Sequence, residues 1–96
     1  VTESGGLYIA IGRGDDNDIV IPQQAVSKFH AAFAHKDGEW LLADRKSTNG
    51  TFVGGIKVVP GAPVEVGDGS EIALADTAIF LFCTPIRIVK FMELLG

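Results

Sequence analysis

Apolar residues occur along this chain in short bursts, and turn-forming residues close each burst. Leu7–Ile11, Ile19–Ile21, Phe29–Ala34, Trp40–Ala43, Thr51–Val53, Ile56–Val59, Val64–Val66, Ile72–Leu74 and Ile79–Phe82 each have the length of a strand. No helical period is evident up to residue 82. The punctuation is equally regular. Asp37-Gly38 and Gly54-Gly55 suit two-residue hairpin turns whose central residues need positive φ. Pro60-Gly61-Ala62-Pro63 and Gly67-Asp68-Gly69 mark further reversals. Short strands at such spacing predict an all-β sandwich or barrel. After Pro85 the pattern changes. Ile86–Phe91 is predicted to add one more strand, whereas Met92–Leu95 could form a helical turn.

Composition narrows the class. A length of 96 residues with 47% hydrophobic content fits one folded domain with a modest core. Eight basic against twelve acidic residues give a net charge of −4, which counts against a broad nucleic-acid surface. No apolar run is long enough to cross a membrane as a helix, and no signal-peptide pattern opens the chain. The single cysteine, Cys83, follows an apolar run and reads as a core or edge thiol, in keeping with a reducing, cytoplasmic setting. The chain begins at Val1 and reads as part of a longer protein.

Catalytic and metal motifs fail on spacing. Gly12-Arg13-Gly14 opens like a dinucleotide loop, but the third glycine would fall on Asn17. Asp15-Asp16-Asn17-Asp18 opens like a calcium loop, but the required glycine and glutamate fall on Val20 and Val26. His30 and His35 stand at odd spacing along a strand and point to opposite faces, which disfavours a shared metal. Ser27, His30 and Asp44 could be drawn as a hydrolase triad, yet no nucleophile elbow frames Ser27. Neither a metal nor a cofactor is therefore expected.

What remains is polar residues in three loops. They are Gly12-Arg13, Val26-Ser27-Lys28-Phe29-His30 and the segment from Asp44 to Thr51. Cations beside hydroxyls suit a phosphate, because the guanidinium supplies a fork of donors and the hydroxyls add neutral ones. Alone, each residue has an ordinary explanation: a solvated charge at Arg13, a turn cap at Ser27, a hairpin turn at Asn49-Gly50. In order and at these intervals, Gly12-Arg13, Ser27-x-x-His30 and Ser47-Thr48-Asn49-Gly50-Thr51 resemble the signature of forkhead-associated (FHA) domains. Asp18-Ile19-Val20-Ile21, Asp44 and Gly67-Asp68 with Ile72-Ala73-Leu74 extend the likeness over about residues 6–83.

The resemblance implies a β-sandwich of about ten to eleven short antiparallel or mixed strands. Residues 1–83 would form the phosphopeptide-binding domain and residues 84–96 a C-terminal strand or tail. The N-terminal strand would be missing, or replaced by the C-terminal segment. It implies a signalling adaptor rather than an enzyme, binding phosphothreonine peptides from substrates of Ser/Thr kinases through loops at one end. The alternative is an FHA-like scaffold that assembles proteins without phosphate. By the same resemblance, Arg13, Ser27, Lys28 and Thr48 contact the phosphate and Asn49 holds the peptide backbone. Gly12, His30 and Gly50 support the site. The cations Arg13, Lys28, Arg45 and Lys46 all fall in or beside these loops, so an acidic body would carry one cationic end.

Overall fold

The computed structural model describes residues 7–83 of the chain. Nine strands follow one another: β1 (Leu7–Gly12), β2 (Ile19–Val20), β3 (Ala31–Lys36), β4 (Glu39–Asp44), β5 (Thr51–Val53), β6 (Ile56–Lys57), β7 (Val64–Val66), β8 (Glu71–Leu74) and β9 (Ala78–Leu81). They form a five-stranded sheet in the order β2-β1-β3-β4-β7 and a four-stranded sheet in the order β6-β5-β8-β9. Every apolar burst up to residue 82 thus supplies a strand, and the fold is the expected all-β sandwich. The additional strand expected over Ile86–Phe91, and the N-terminal edge it was to cover, lie outside the described residues.

Alternation explains which residues meet between the sheets. Ile11, Phe33 and Leu42 from one sheet pack against Ile72, Leu74 and Ala78 from the other. Burying each large aliphatic side chain contributes about 1.5–3 kcal/mol. Val26 and Val58, from loops, are also buried. Toward the β3–β4 hairpin the space is filled by rings. Phe82 lies 5.4 Å from Phe33 and 5.5 Å from Trp40, and His35 stacks on Trp40 at 4.5 Å. That hairpin turns through Asp37 and Gly38 at φ of 56° and 80°, as the Asp-Gly pair predicts. Cys83 is exposed at the edge.

Two departures bear on the site. Residues 29–34 are expected as one strand, but β3 starts only at Ala31. The His30 backbone N–H donates to the Ile11 carbonyl at 3.0 Å while its imidazole turns inward, and Phe29 is left exposed. The second departure is β2, which runs parallel to β1 after a very short connection, with Ile11 opposite Ile19 and Gly12 opposite Val20. Parallel neighbours ordinarily need a crossover of about a dozen residues or more. Here the loop doubles back on itself. Its Asn17 N–H donates to the Gly14 carbonyl at 3.2 Å, and Asp18 Oδ2 accepts from the Ala10 N–H at 2.8 Å.

Strand direction then places the polar loops. Ala31 faces both Ile11 and Asp44, and Thr51 faces Leu74, so the ends of β1, β4 and β8 and the starts of β3 and β5 share one end of the sandwich.

Candidate functional site

Three loops at that end are tied to one another. The Arg13 backbone N–H donates to the Ser27 carbonyl at 2.9 Å, and its Nε donates to the Val26 carbonyl at 2.9 Å. The Thr48 N–H donates to Ser27 Oγ at 3.0 Å, and Asn49 Nδ2 donates to the Ala25 carbonyl at 2.9 Å. The structure therefore brings Arg13, Ser27, Thr48 and Asn49 together. Lys28 follows Ser27 in the second loop, where its carbonyl accepts from the Gly14 N–H at 3.1 Å and its ammonium lies 5.8 Å from the centre of the Phe29 ring.

His30 sits beneath these ties and is fully buried. Its Nδ1 accepts from the Ser27 N–H at 3.0 Å, so Nε2 carries the proton and donates to the Gly50 carbonyl at 2.7 Å. One neutral tautomer thereby links the second loop to the third. The Gly50 carbonyl also accepts from the Ala75 N–H at 2.8 Å. Gly50 itself has φ of 92°, a left-handed conformation that a side chain would strain. Gly12 is needed for a different reason. A Cβ there would lie 2.4 Å from the Lys28 carbonyl oxygen, so the first loop could not close on the second.

Asp44 organises the third loop from below. Its Oδ1 accepts from Ser47 Oγ at 2.5 Å and Thr51 Oγ1 at 2.7 Å, and Oδ2 accepts from the Ser47 N–H at 3.1 Å. Ser47 Oγ in turn accepts from the Gly50 N–H at 3.0 Å. Burial alone would raise the Asp44 pKa, but the hydrogen bonds from Ser47 and Thr51 outweigh it and hold the carboxyl below its ordinary range. A folded-state pKa below the unfolded one means stability present above the unfolded value and lost as pH falls through the folded value. The melting temperature of the Asp44→Asn variant is therefore expected to lie below wild type at neutral pH. The gap should shrink as pH falls below about 4. Thermal melts of both proteins across that range check this; a gap independent of pH would refute it.

These ties decide what the site can do. Ser27, His30 and Asp44 do not form a relay: both His30 ring nitrogens face backbone groups, and Asp44 bonds Ser47 and Thr51. Ser27 Oγ already accepts a hydrogen bond, which leaves its proton to be donated outward. Arg13 spends Nε on Val26 and keeps both Nη groups. With the Lys28 ammonium and the exposed Thr48 hydroxyl, the surface presents donors suited to an anion. Arg45 is turned away to the Tyr8 hydroxyl.

Asn17 is a supporting residue that motif reading did not single out. It is only 7% exposed, and its Nδ2 donates to the Gly14 carbonyl at 2.8 Å and the Lys28 carbonyl at 2.7 Å. Its place among three aspartates hid this clamp. The cleft beside Asn49, lined also by Ala25, Phe52, Ala75 and Asp76, likewise had no local signal.

The FHA domain model matches residues 9–75. The chain belongs to the FHA family. Among relatives of this FHA domain, FhaB of Mycolicibacterium smegmatis is 36% identical over 69 residues, covering 66% of this chain and 44% of FhaB. The chain spans between 6% and 46% of the length of the curated mycobacterial relatives it matches. Mycobacterium tuberculosis EmbR, solved with a low-affinity phosphopeptide, superposes with a TM-score of 0.73 at 32% identity, over 79% of this chain and 19% of that one. The N-terminal FHA domain of Rad53p from S. cerevisiae, solved with a phosphothreonine peptide, gives a TM-score of 0.71 at 25% identity, over 92% and 73%. Among the described residues, no helix is long and apolar enough to cross a membrane.

Proposed function

We propose that this FHA domain is a phosphothreonine-dependent interaction module. In this reading Arg13, Ser27, Lys28 and Thr48 hold the phosphate and Asn49 holds the peptide backbone. Gly12, His30 and Gly50 fix the loops, and residues 1–83 constitute the binding unit. The observation that carries the reading is the pairing of a guanidinium and a hydroxyl whose competing bonds are already made. Arg13 is oriented through Nε and Ser27 Oγ accepts from Thr48, so each keeps donors unspent within loops that are tied to one another. A phosphothreonine carries about −1.5 to −2 charges, and each charge-assisted bond to it contributes roughly 1.5–3 kcal/mol. Asn49 keeps its Oδ1 and one N–H beyond the bond to Ala25, enough to accept from and donate to a peptide main chain.

In this reading the domain binds rather than catalyses, which the commitment of the His30 imidazole to Ser27 N–H and the Gly50 carbonyl supports. One peptide library, titrated in phosphothreonine, phosphoserine and unmodified forms, tests this. Phosphothreonine peptides should bind most tightly and unmodified ones at least tenfold more weakly, as loss of a single ~1.5 kcal/mol bond already requires. Equal binding of all three would sink the reading and leave phosphate-independent assembly.

A further inference from the structure

The cleft beside Asn49 has a volume of about 440 Å³ and is lined by Ala25, Asn49, Phe52, Ala75 and Asp76. Ala25 and Asn49 are joined by the bond between the second and third loops, so the cleft opens directly onto the proposed peptide path. Its far wall is the turn between β8 and β9. There Ala75 is buried and held at a φ of 58°, an unusual conformation for a residue with a Cβ. The bond from its N–H to the Gly50 carbonyl locks it in place. Asp76 follows this fixed residue and is exposed.

The chemistry of the lining is specific. Two methyl groups and the half-buried Phe52 ring make apolar walls, and among the described residues Asp76 provides the only formal charge of the lining. Among the described residues no cation pairs with that carboxylate. Lys57 faces Phe52 across the β5–β6 pair but lines no part of the cleft. Such a pocket suits a long aliphatic stem ending in a cation, which lies along apolar surface while its head meets the carboxylate. A ring wall adds attraction for that head. A carboxylate side chain would instead meet Asp76 as a like charge.

We propose that Asp76 makes this site select a phosphopeptide carrying lysine or arginine at the residue that enters the Asn49 cleft. The proposal rests on the phosphothreonine reading above and adds to it a second, oppositely charged recognition point. The ligand would then carry its anion at the Arg13 end and its cation at the Asp76 end.

The test uses phosphothreonine peptides in which each flanking position is set in turn to Lys, Ala or Glu. They are titrated into wild type, Asp76→Asn and Asp76→Lys. An exposed ion pair of this kind contributes up to about fivefold in affinity. At one position wild type should favour Lys over Glu by about three- to fivefold. The preference should vanish in Asp76→Asn and reverse in Asp76→Lys, while dependence on phosphate persists in all three. A wild type without charge preference at any position overturns the proposal, as does a preference that survives in Asp76→Asn. Phosphate-independent binding by wild type overturns the underlying reading instead, and is recognised separately from the unmodified peptides.

Discussion

Replacing Arg13 by alanine is expected to lower phosphopeptide affinity by about two orders of magnitude while leaving the fold intact. Two free Nη groups can make two charge-assisted hydrogen bonds, each contributing roughly 1.5 kcal/mol or more, so their loss amounts to about a hundredfold. The same side chain contributes little to the core. It is exposed, and its one structural tie is the Nε bond to the Val26 carbonyl. Removing that bond should cost about 1 kcal/mol and a few degrees of melting temperature. Arg13→Lys separates charge from geometry. It keeps the cation but loses the fork and the Nε anchor, so it should recover only part of the affinity. Calorimetric titration with a phosphothreonine peptide, paired with thermal melts, decides the matter. An unfolded Arg13→Ala would make the residue structural, and unchanged affinity would remove it from the site.

His30→Ala should show the opposite profile. The imidazole is fully buried, and its loss leaves a cavity together with a Ser27 N–H that has lost its acceptor. The Gly50 carbonyl keeps only the Ala75 N–H. Cavity formation and a stranded donor together should cost about 3–5 kcal/mol. For a domain of this size that lowers the melting temperature by at least about 12 °C. Urea unfolding with an unchanged slope would confirm that stability, not the unfolded state, is altered. A variant as stable as wild type would show that the two backbone groups find other partners and that His30 is not the buttress. Arg13→Ala and His30→Ala thus form a crossed pair, one weakening ligand with the fold kept and one weakening the fold.

The strands, and the residues of the candidate site that the loops bring together, were legible because their signals are local or ordered. Short apolar runs closed by turn residues marked all nine described strands, and Asp37-Gly38 marked its hairpin. Arg13, Ser27 and Asn49 stood out through order and interval, not through any property of one residue. What stayed hidden depends on partners distant in sequence. Asn17 reads as one more polar residue in an acidic turn until the Lys28 carbonyl is brought to its amide. Asp76 gains meaning only when the β8–β9 turn is set beside Asn49 by sheet pairing. The start of β3 was misplaced because Phe29 and His30 continue an apolar-looking run, while their backbone serves the loop ties. Net charge is equally uninformative about place. A total of −4 does not say that Arg13 and Lys28 stand in the tied loops while Arg45 turns to Tyr8.

The ties among the three loops also mean that the site's energetics do not divide by residue. Ser27 Oγ holds Thr48, the Ser27 carbonyl holds Arg13, and the Ser27 N–H is held by His30. Groups that share partners in this way couple, and their separate losses do not add. Truncating Ser27 would release Thr48 as well as one donor, and truncating Asn49 would free Ala25 beside it. Alanine values measured one at a time would therefore count some interactions twice. Their sum would differ from the loss in the combined variant, and only double-mutant cycles would apportion it.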